Sequence, residues 1–452
     1  MGNLDATVIT TALPAMAADF GTTASYLSVG VSAYLVALTV FIPISGWLTD
    51  RWGARRVFSS AIILFSVSSL LCALSDGLWS FTAARILQGI GGAMMVPVGR
   101  LVVLRDTPKE DVVRAIAILT WPALVAPVMG PPVGGWIATH WGWPWIFWLN
   151  VPLGVAALIA AWVLIRDGTK QRAPFDLTGF LLAASAFGLF MAGIEAVSRD
   201  DVSKTWAVAI LAISVPLFII CTWHLRRASH PLFGLGPMKI ATFRITVVGG
   251  SLFRTAIGTA PFLLPLMFQL GLGWSAVKSG MLLLWLFAGN LVMKVMTTRI
   301  INTFGFKRVL IINGLAVAAG FAACGPFTMD TPYWLIGTTL FLCGMGRSMQ
   351  FTALNTIGFA DVPQSQMRDA TTLFSVLQQM NAGMGIAVGA LALSSAHLMG
   401  ATPGVEPVLT DYRIAFWLIA GMALLAVADS LCLSNDAGER VLVRRAVPRS
   451  SA

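Results

Sequence analysis

Charged side chains inside long apolar runs are the residues in this chain that could do chemistry. Asp5 sits within the first apolar run, which ends near Ala17. Read as a helix, that run places the carboxyl about 18 Å from its end, near the middle of a bilayer. A carboxylate at that depth is costly, so it is expected to face a cavity and to take up and release a proton. The plainer alternative is a hydrogen-bonded residue that packs helices. Arg85 opens the run RILQGIGGA with Gln88 about one turn later. A guanidinium there needs a carboxylate or carbonyl partner, for chemistry or to tie helices together, and Gly89, Gly91 and Gly92 let a neighbouring helix come close. Arg254 lies near the middle of a later run beside Gly249, Gly250 and Gly258, either as a functional cation or in a structural ion pair. Lys294 and Arg347 read as nearer their helix ends, where snorkelling accounts for them. Gln88, Gln350, Asn355, Gln378, Gln379 and Asn381 supply uncharged groups that line a substrate cavity or join helices.

The elements that carry these residues are transmembrane helices. The 452 residues are 57% hydrophobic and 11% charged, with mean hydropathy +0.80, whereas soluble domains are roughly a quarter charged. Apolar runs of about 20 residues give fourteen spans, centred near residues 10, 38, 66, 91, 126, 154, 187, 215, 255, 287, 316, 342, 381 and 422. Short connections leave no room for a soluble domain. With the first loop outside, 22 of the 30 Lys and Arg fall on the cytoplasmic side and only Arg199, Lys204, Lys278 and Arg413 on the other. This bias puts both termini inside and accounts for the net charge of +10 without a nucleic-acid partner. The five cysteines lie in or at the ends of spans without CxxC spacing, and the four histidines are scattered, so neither disulfide, metal nor cofactor is expected. No Walker-type glycine loop or Ser/His/Asp set suggests an enzyme. Trp141, Trp143, Trp145 and Trp148 read as an interfacial belt.

Two further patterns concern movement. GWLTDRWGARR, Gly46 to Arg56, returns as TTRIINTFGFKRV, Thr297 to Val309, with Gly305, Lys307 and Arg308 under Gly53, Arg55 and Arg56, so the chain is a duplicated membrane unit. Gly53 permits a tight turn, and Asp50 can cap a helix N-terminus or pair with a base from the other bundle. Arg51, Arg55 and Arg56 also fix topology. In the second copy Asn302 and Thr303 replace Asp50 and Arg51, which predicts a weaker latch. In GPPVGG, Gly130, Pro131, Pro132, Gly134 and Gly135 combine missing donors with a smooth helix face. Only about sixteen residues precede Asp19 in the first run, so further apolar residues before Met1 are expected in a complete version.

Four motifs in order, LDATVITTALP from Leu4, GWLTDRWGARR, RILQGIGGA and GPPVGG, followed by WPWIFWLNVPLG from Trp143, resemble the major facilitator superfamily over nearly the whole chain. The resemblance is to its fourteen-span drug:proton antiporter family (EmrB/QacA type). Among its members the MdtD type shares GGAMMVPVGRL at Gly91 to Leu101. It implies an all-α polytopic membrane protein with two six-helix bundles, residues 1–165 and 236–435, two inserted helices over 166–235, and a basic cytoplasmic tail over 436–452. It further implies alternating access about a central cavity and proton coupling through Asp5 and Arg85. Residues 46–56 would form a cytoplasmic latch, and Gly130, Pro131, Gly134 and Gly135 an antiporter signature. The expected protein is a monomeric multidrug exporter of the bacterial inner membrane, taking small molecules and protons. Because Asp5 is the lone mid-depth carboxylate against Arg85 and Arg254, export of an organic anion such as a citrate-like carboxylate is the alternative. A non-transporting sensor or scaffold is the rival from another class.

Overall fold

The computed structural model describes residues 2–22, 24–108, 111–165, 174–198, 203–400, 409–434 and 436–441, and every regular element among them is helical. Lipid offers no hydrogen-bond partners, and a helix satisfies its backbone within one segment. Eleven helical stretches among the described residues are long and apolar enough to cross a membrane, against the fourteen expected. The expected centres near residues 10, 126 and 342 fall instead in helices Gly2–Asp19, Val112–His140 and Tyr333–Ala360. The last of these carries Arg347, Gln350 and Asn355, which dilute its apolar character. Lys109, Arg166, Lys170, Arg172, Arg199, Arg444, Arg445 and Arg449 lie outside the described residues, as do the side chains of Pro131, Pro132 and Arg440.

One compact unit comprises Met1–Arg105, Pro122–Pro237 and Gln364–Ala387. It contains α1 (Gly2–Asp19), α2 (Ala24–Phe41), α3 (Ser45–Trp52), α4 (Ala54–Ala73), α5 (Leu78–Asp106), most of α6 (Val112–His140), α7 (Pro144–Trp148), α8 (Asn150–Leu164), α9 (Leu177–Ser198) and α10 (Lys204–Arg227). Gly53 alone joins α3 to α4, at φ 91° and ψ 148°, a conformation that side chains with a Cβ avoid. On α5 a Cβ at Gly89 would lie 2.6 Å from the Tyr34 carbonyl, and one at Gly91 2.8 Å from the Phe65 nitrogen. These glycines are what let α5 lie against α2 and α4. α9 packs on α10 and on α2, where Ser32 donates to Glu195 at 2.5 Å. Asp176, just before α9, meets His224 Nε2 of α10 at 2.9 Å and accepts from the Gly179 and Leu232 amides.

The tryptophan belt needs one correction. Trp141, Trp145 and Trp148 are exposed, but Trp143 is buried and its indole donates to Asp19 at 2.6 Å. The carboxylate at the end of α1 thus has its partner inside the protein, and that draws Trp143 inward.

The second unit comprises Asp106–Trp121, Met238–Pro363 and Val388–Ala452. It holds α11 (Ala241–Leu266), α12 (Ala276–Phe304), α13 (Phe306–Cys324), α14 (Tyr333–Ala360), the later part of α15 (Met367–Gly400) and α16 (Leu409–Leu431). Gly305 joins α12 to α13 at φ 77° and ψ 163°, the same device as Gly53 at the repeat-related position. α12 and α14 touch backbone to backbone: a Cβ on Gly289 would collide with the Phe341 carbonyl, and one on Gly344 with the Leu286 carbonyl. This is the small-residue packing that membrane helices use in place of a hydrophobic driving force.

Candidate functional site

The first unit closes around Asp5. Arg85 Nη1 donates to Asp5 Oδ2 at 2.5 Å and to Gln88 Oε1 at 2.6 Å. Gln88 Nε2 and Asn150 Nδ2 each donate to Asp5 Oδ1 at 3.1 Å. Asp5, Arg85, Gln88 and Asn150 are all essentially inaccessible. The carboxylate therefore receives three donors, one of them charged, which is how a buried ion pair offsets its desolvation. The guanidinium lies 4.3 Å over the Tyr34 ring, and its Nε and Nη2 are buried with no hydrogen-bond partner among the described residues. Between this cluster and the Asp19 end of α1, Val8, Ile9, Ala12, Met16, Phe81, Ile146 and Phe147 form a closed apolar layer.

Asp5 and Arg85, both expected at the proton-coupling site, are in contact, and Gln88, expected in the substrate cavity, sits with them. Asn150 and Tyr34 were missed. Asn150 lies in the quoted WPWIFWLNVPLG segment, and an asparagine following an apolar run is the one signal that could have flagged it.

The latch segment is built from α3 and the start of α4. Asp50 Oδ2 accepts from Arg368 Nη1 at 2.5 Å, and Arg368 also pairs with its neighbour Asp369 at 2.7 Å. Gly46 is where α15 comes in: a Cβ there would sit 2.9 Å from Thr372 Oγ1 and 3.1 Å from Arg368 Cγ. Arg55 Nε donates to the Ile165 carbonyl at 2.6 Å, closing the C-terminus of α8, while Arg51 and Arg56 are exposed. Deeper along α15, Arg100 donates to Gln378 Oε1 at 2.9 Å and to Ser375 Oγ at 3.4 Å, with Phe374 beneath its guanidinium at 4.6 Å. Gln378, expected to line a cavity, is thus engaged by Arg100. Asn381 is buried three residues further on. At the repeat-related position in the second unit, Asn302 Oδ1 has no partner among the described residues.

Polar residues of the second unit gather on α14. Arg254 donates to the Thr246 carbonyl at 2.9 Å and to Asn355 Oδ1 at 3.1 Å, which brings these two separately expected cavity residues into contact. Lys294 is buried and donates to Thr352 at 2.6 Å. Snorkelling does not describe it, because its ammonium is buried against a hydroxyl of the neighbouring helix. Gln350 accepts from Asn313 at 2.9 Å and reaches the Leu310 carbonyl, a helix-joining role. Asp429 accepts from the Gly249 amide at 3.0 Å. In the GPPVGG segment, within α6, Gly130 and Gly134 are buried, whereas a Cβ on Gly135 would meet no described atom within 4 Å.

Helices of this length with a buried acid–base cluster and a glycine-hinged repeat define a polytopic transporter. Residues 2–388 match the Major Facilitator Superfamily model, and the chain belongs to that family; it is a membrane transporter, not an enzyme. Relatives named "Putative multidrug resistance protein MdtD" occur in Klebsiella pneumoniae (strain 342), 32% identical over 98% of this chain and 94% of the relative, and in Serratia proteamaculans (strain 568), 33% identical over 95% and 90%. The fold is similar to that of the human organic anion transporter MFSD10, with TM-score 0.67 at 15% identity over 95% of this chain and 96% of that one. It is likewise similar to the proton:xylose symporter XylE, with TM-score 0.63 at 16% identity over 94% and 91%.

Proposed function

We propose that the chain is a proton-coupled antiporter that exports small organic molecules from the bacterial cytoplasm across the inner membrane, with multidrug efflux as its task. The observation that carries this reading is the buried Asp5–Arg85 pair with its Gln88 and Asn150 donors. Protonating Asp5 removes the counter-charge of Arg85, and that single change favours one conformation over another. The name of the MdtD relatives supports drug efflux. The proposed organisation is a monomer of two six-helix bundles, residues 1–165 and 236–435, with 166–235 inserted, 436–452 as a tail, and both termini cytoplasmic. Gly46, Asp50, Arg51, Gly53, Arg55 and Arg56 act as the cytoplasmic latch, with Arg368 as its counterpart. Gly130, Pro131, Gly134 and Gly135 serve the helix motion of antiport.

The test is substrate-triggered proton release from acidified inverted vesicles that contain the purified protein. A lipophilic cation dye should dissipate the pH gradient through the wild type and not through Asp5→Asn. A wild type silent to every organic cation offered rejects multidrug antiport.

A second reading, export of an organic anion such as a citrate-like carboxylate, is favoured by the buried bases Arg254 and Lys294, with Gln350, Asn355 and Asn381 as neutral lining. Under it Arg254→Ala abolishes citrate-driven proton movement in protein that remains folded. Unchanged citrate transport in that variant removes this reading.

A further inference from the structure

We propose that Asn150 reads the protonation state of Asp5 and relays it, through Ser69, to the Phe147 carbonyl in the helical stretch Pro144–Leu164. The inference rests on the reading of Asp5 as the proton carrier and adds the residue that senses it.

The directions of the hydrogen bonds make the argument. One amide hydrogen of Asn150 goes to Asp5 Oδ1 at 3.1 Å and the other to Ser69 Oγ at 3.0 Å. The Ser69 hydroxyl in turn donates to the Phe147 carbonyl at 3.0 Å. This chain joins α1, α4 and α8 to the last turn of α7, and Asp5, Ser69, Phe147 and Asn150 are all buried. Every donor around the carboxylate points at it, an arrangement suited only to the charged form. When a proton from the aqueous phase is taken up on Oδ1, two hydrogens face each other along the Asn150 contact. The new O–H then needs an acceptor, because an unmade hydrogen bond at a buried site is costly. Gln88 Oε1 is already occupied by Arg85 and by the Cys72 thiol at 3.7 Å. Asn150 can answer by a half-turn of its amide, a soft two-fold torsion. Its Oδ1 then accepts from both Asp5 and Ser69. The Ser69 hydroxyl reverses to make that bond and leaves the Phe147 carbonyl. No covalent bond other than the new O–H forms, and no electrons move.

The consequence falls on the helical stretch Pro144–Leu164. α7 ends at Trp148, and α8 starts at Asn150 with Pro152 in its first turn. The helix runs on through Leu149, whose backbone is α-helical and whose N–H reaches the Trp145 carbonyl at 3.1 Å, while Pro152 contributes no N–H in the following turn. Protonation of a carboxylate on α1 thereby reaches the backbone of a different helix, at Phe147, through neutral groups. Asn150 is a positioning residue in this scheme, acting through Asp5.

The test is the infrared difference spectrum of the purified protein in liposomes between alkaline and acidic buffer. The wild type should show a carboxylic C=O band that is absent in Asp5→Asn, together with a backbone amide change. In Asn150→Leu the protonated carboxyl loses its acceptor, so the band should move to higher frequency. The pH profile of proton-driven transport should shift by about one pH unit, the size of one hydrogen bond to a charged group. Ser69→Ala leaves Asn150 against Asp5, so the carboxyl band should persist while the backbone change from Phe147, read with a carbonyl isotope label, disappears. An Asp5 band present in all three proteins at one frequency, with the backbone change retained in Ser69→Ala, overturns the relay and leaves the proton-carrier reading standing. Absence of any Asp5 band in the wild type overturns both.

Discussion

Replacing Asp50 by Asn keeps the shape of the latch and removes its charge. Asp50 meets Arg368 at 2.5 Å, with side-chain exposures of 22% and 26%. A fully exposed pair would contribute up to about 1 kcal/mol, and charge-assisted bonds are roughly twice as strong as neutral ones. About 1–2 kcal/mol is therefore the expected contribution, which changes an equilibrium roughly five- to thirtyfold. Thr372 reports that equilibrium, since it is buried directly beneath Gly46. A cysteine placed at Thr372 should react with a membrane-permeant thiol reagent in proportion to the population in which α15 has left α3. Its labelling rate should rise by that factor in Asp50→Asn. Arg368→Gln should do at least as much, because it also loses the 2.7 Å contact with Asp369. The double variant should react no faster than Arg368→Gln alone, since the shared interaction is lost only once. Effects that multiply, or labelling unchanged by Asp50→Asn, refute the reasoning.

Three other outcomes follow from local geometry. Gly53→Ala forces a Cβ into a glycine-only conformation and should lower stability by about 1–3 kcal/mol, seen as a lower unfolding temperature in detergent; Gly305→Ala should do the same. Gly344→Val drives a branched side chain into the Leu286 carbonyl and should lower stability by about 3 kcal/mol or more, with loss of the monodisperse peak on gel filtration. Arg85→Gln leaves Asp5 buried without its cation and should cost about 3–5 kcal/mol. Adding Asp5→Asn should restore part of that stability in the same unfolding assay, whereas a further loss of the full single-variant size would contradict the ion pair.

Much of the helical layout was legible because a membrane imposes a length: apolar runs near 20 residues and the glycine-marked repeat at Gly53 and Gly305 can be read directly. Asp5, Arg85 and Gln88 stood out because charge or amide inside an apolar run has few reasons to be there. Asn150 and Ser69 did not, since neutral polar residues are common near helix ends and their meaning comes from contacts 145 and 81 positions apart. Lys294 was misjudged for a related reason, and the sequence left open which of two roles Gln378 takes. Whether an amide faces a cavity or an arginine, and whether a lysine snorkels or finds a hydroxyl, depends on which helix lies beside it, and spacing along one helix does not encode that.

Under the proposed mechanism Asp5 carries the coupled proton. The most direct measurement is substrate-driven proton movement in inverted vesicles, comparing the wild type with Asp5→Asn at matched protein level and folding. The account predicts that substrate collapses the imposed pH gradient through the wild type, and that Asp5→Asn binds substrate but moves no protons. Proton movement of equal size through Asp5→Asn would contradict it.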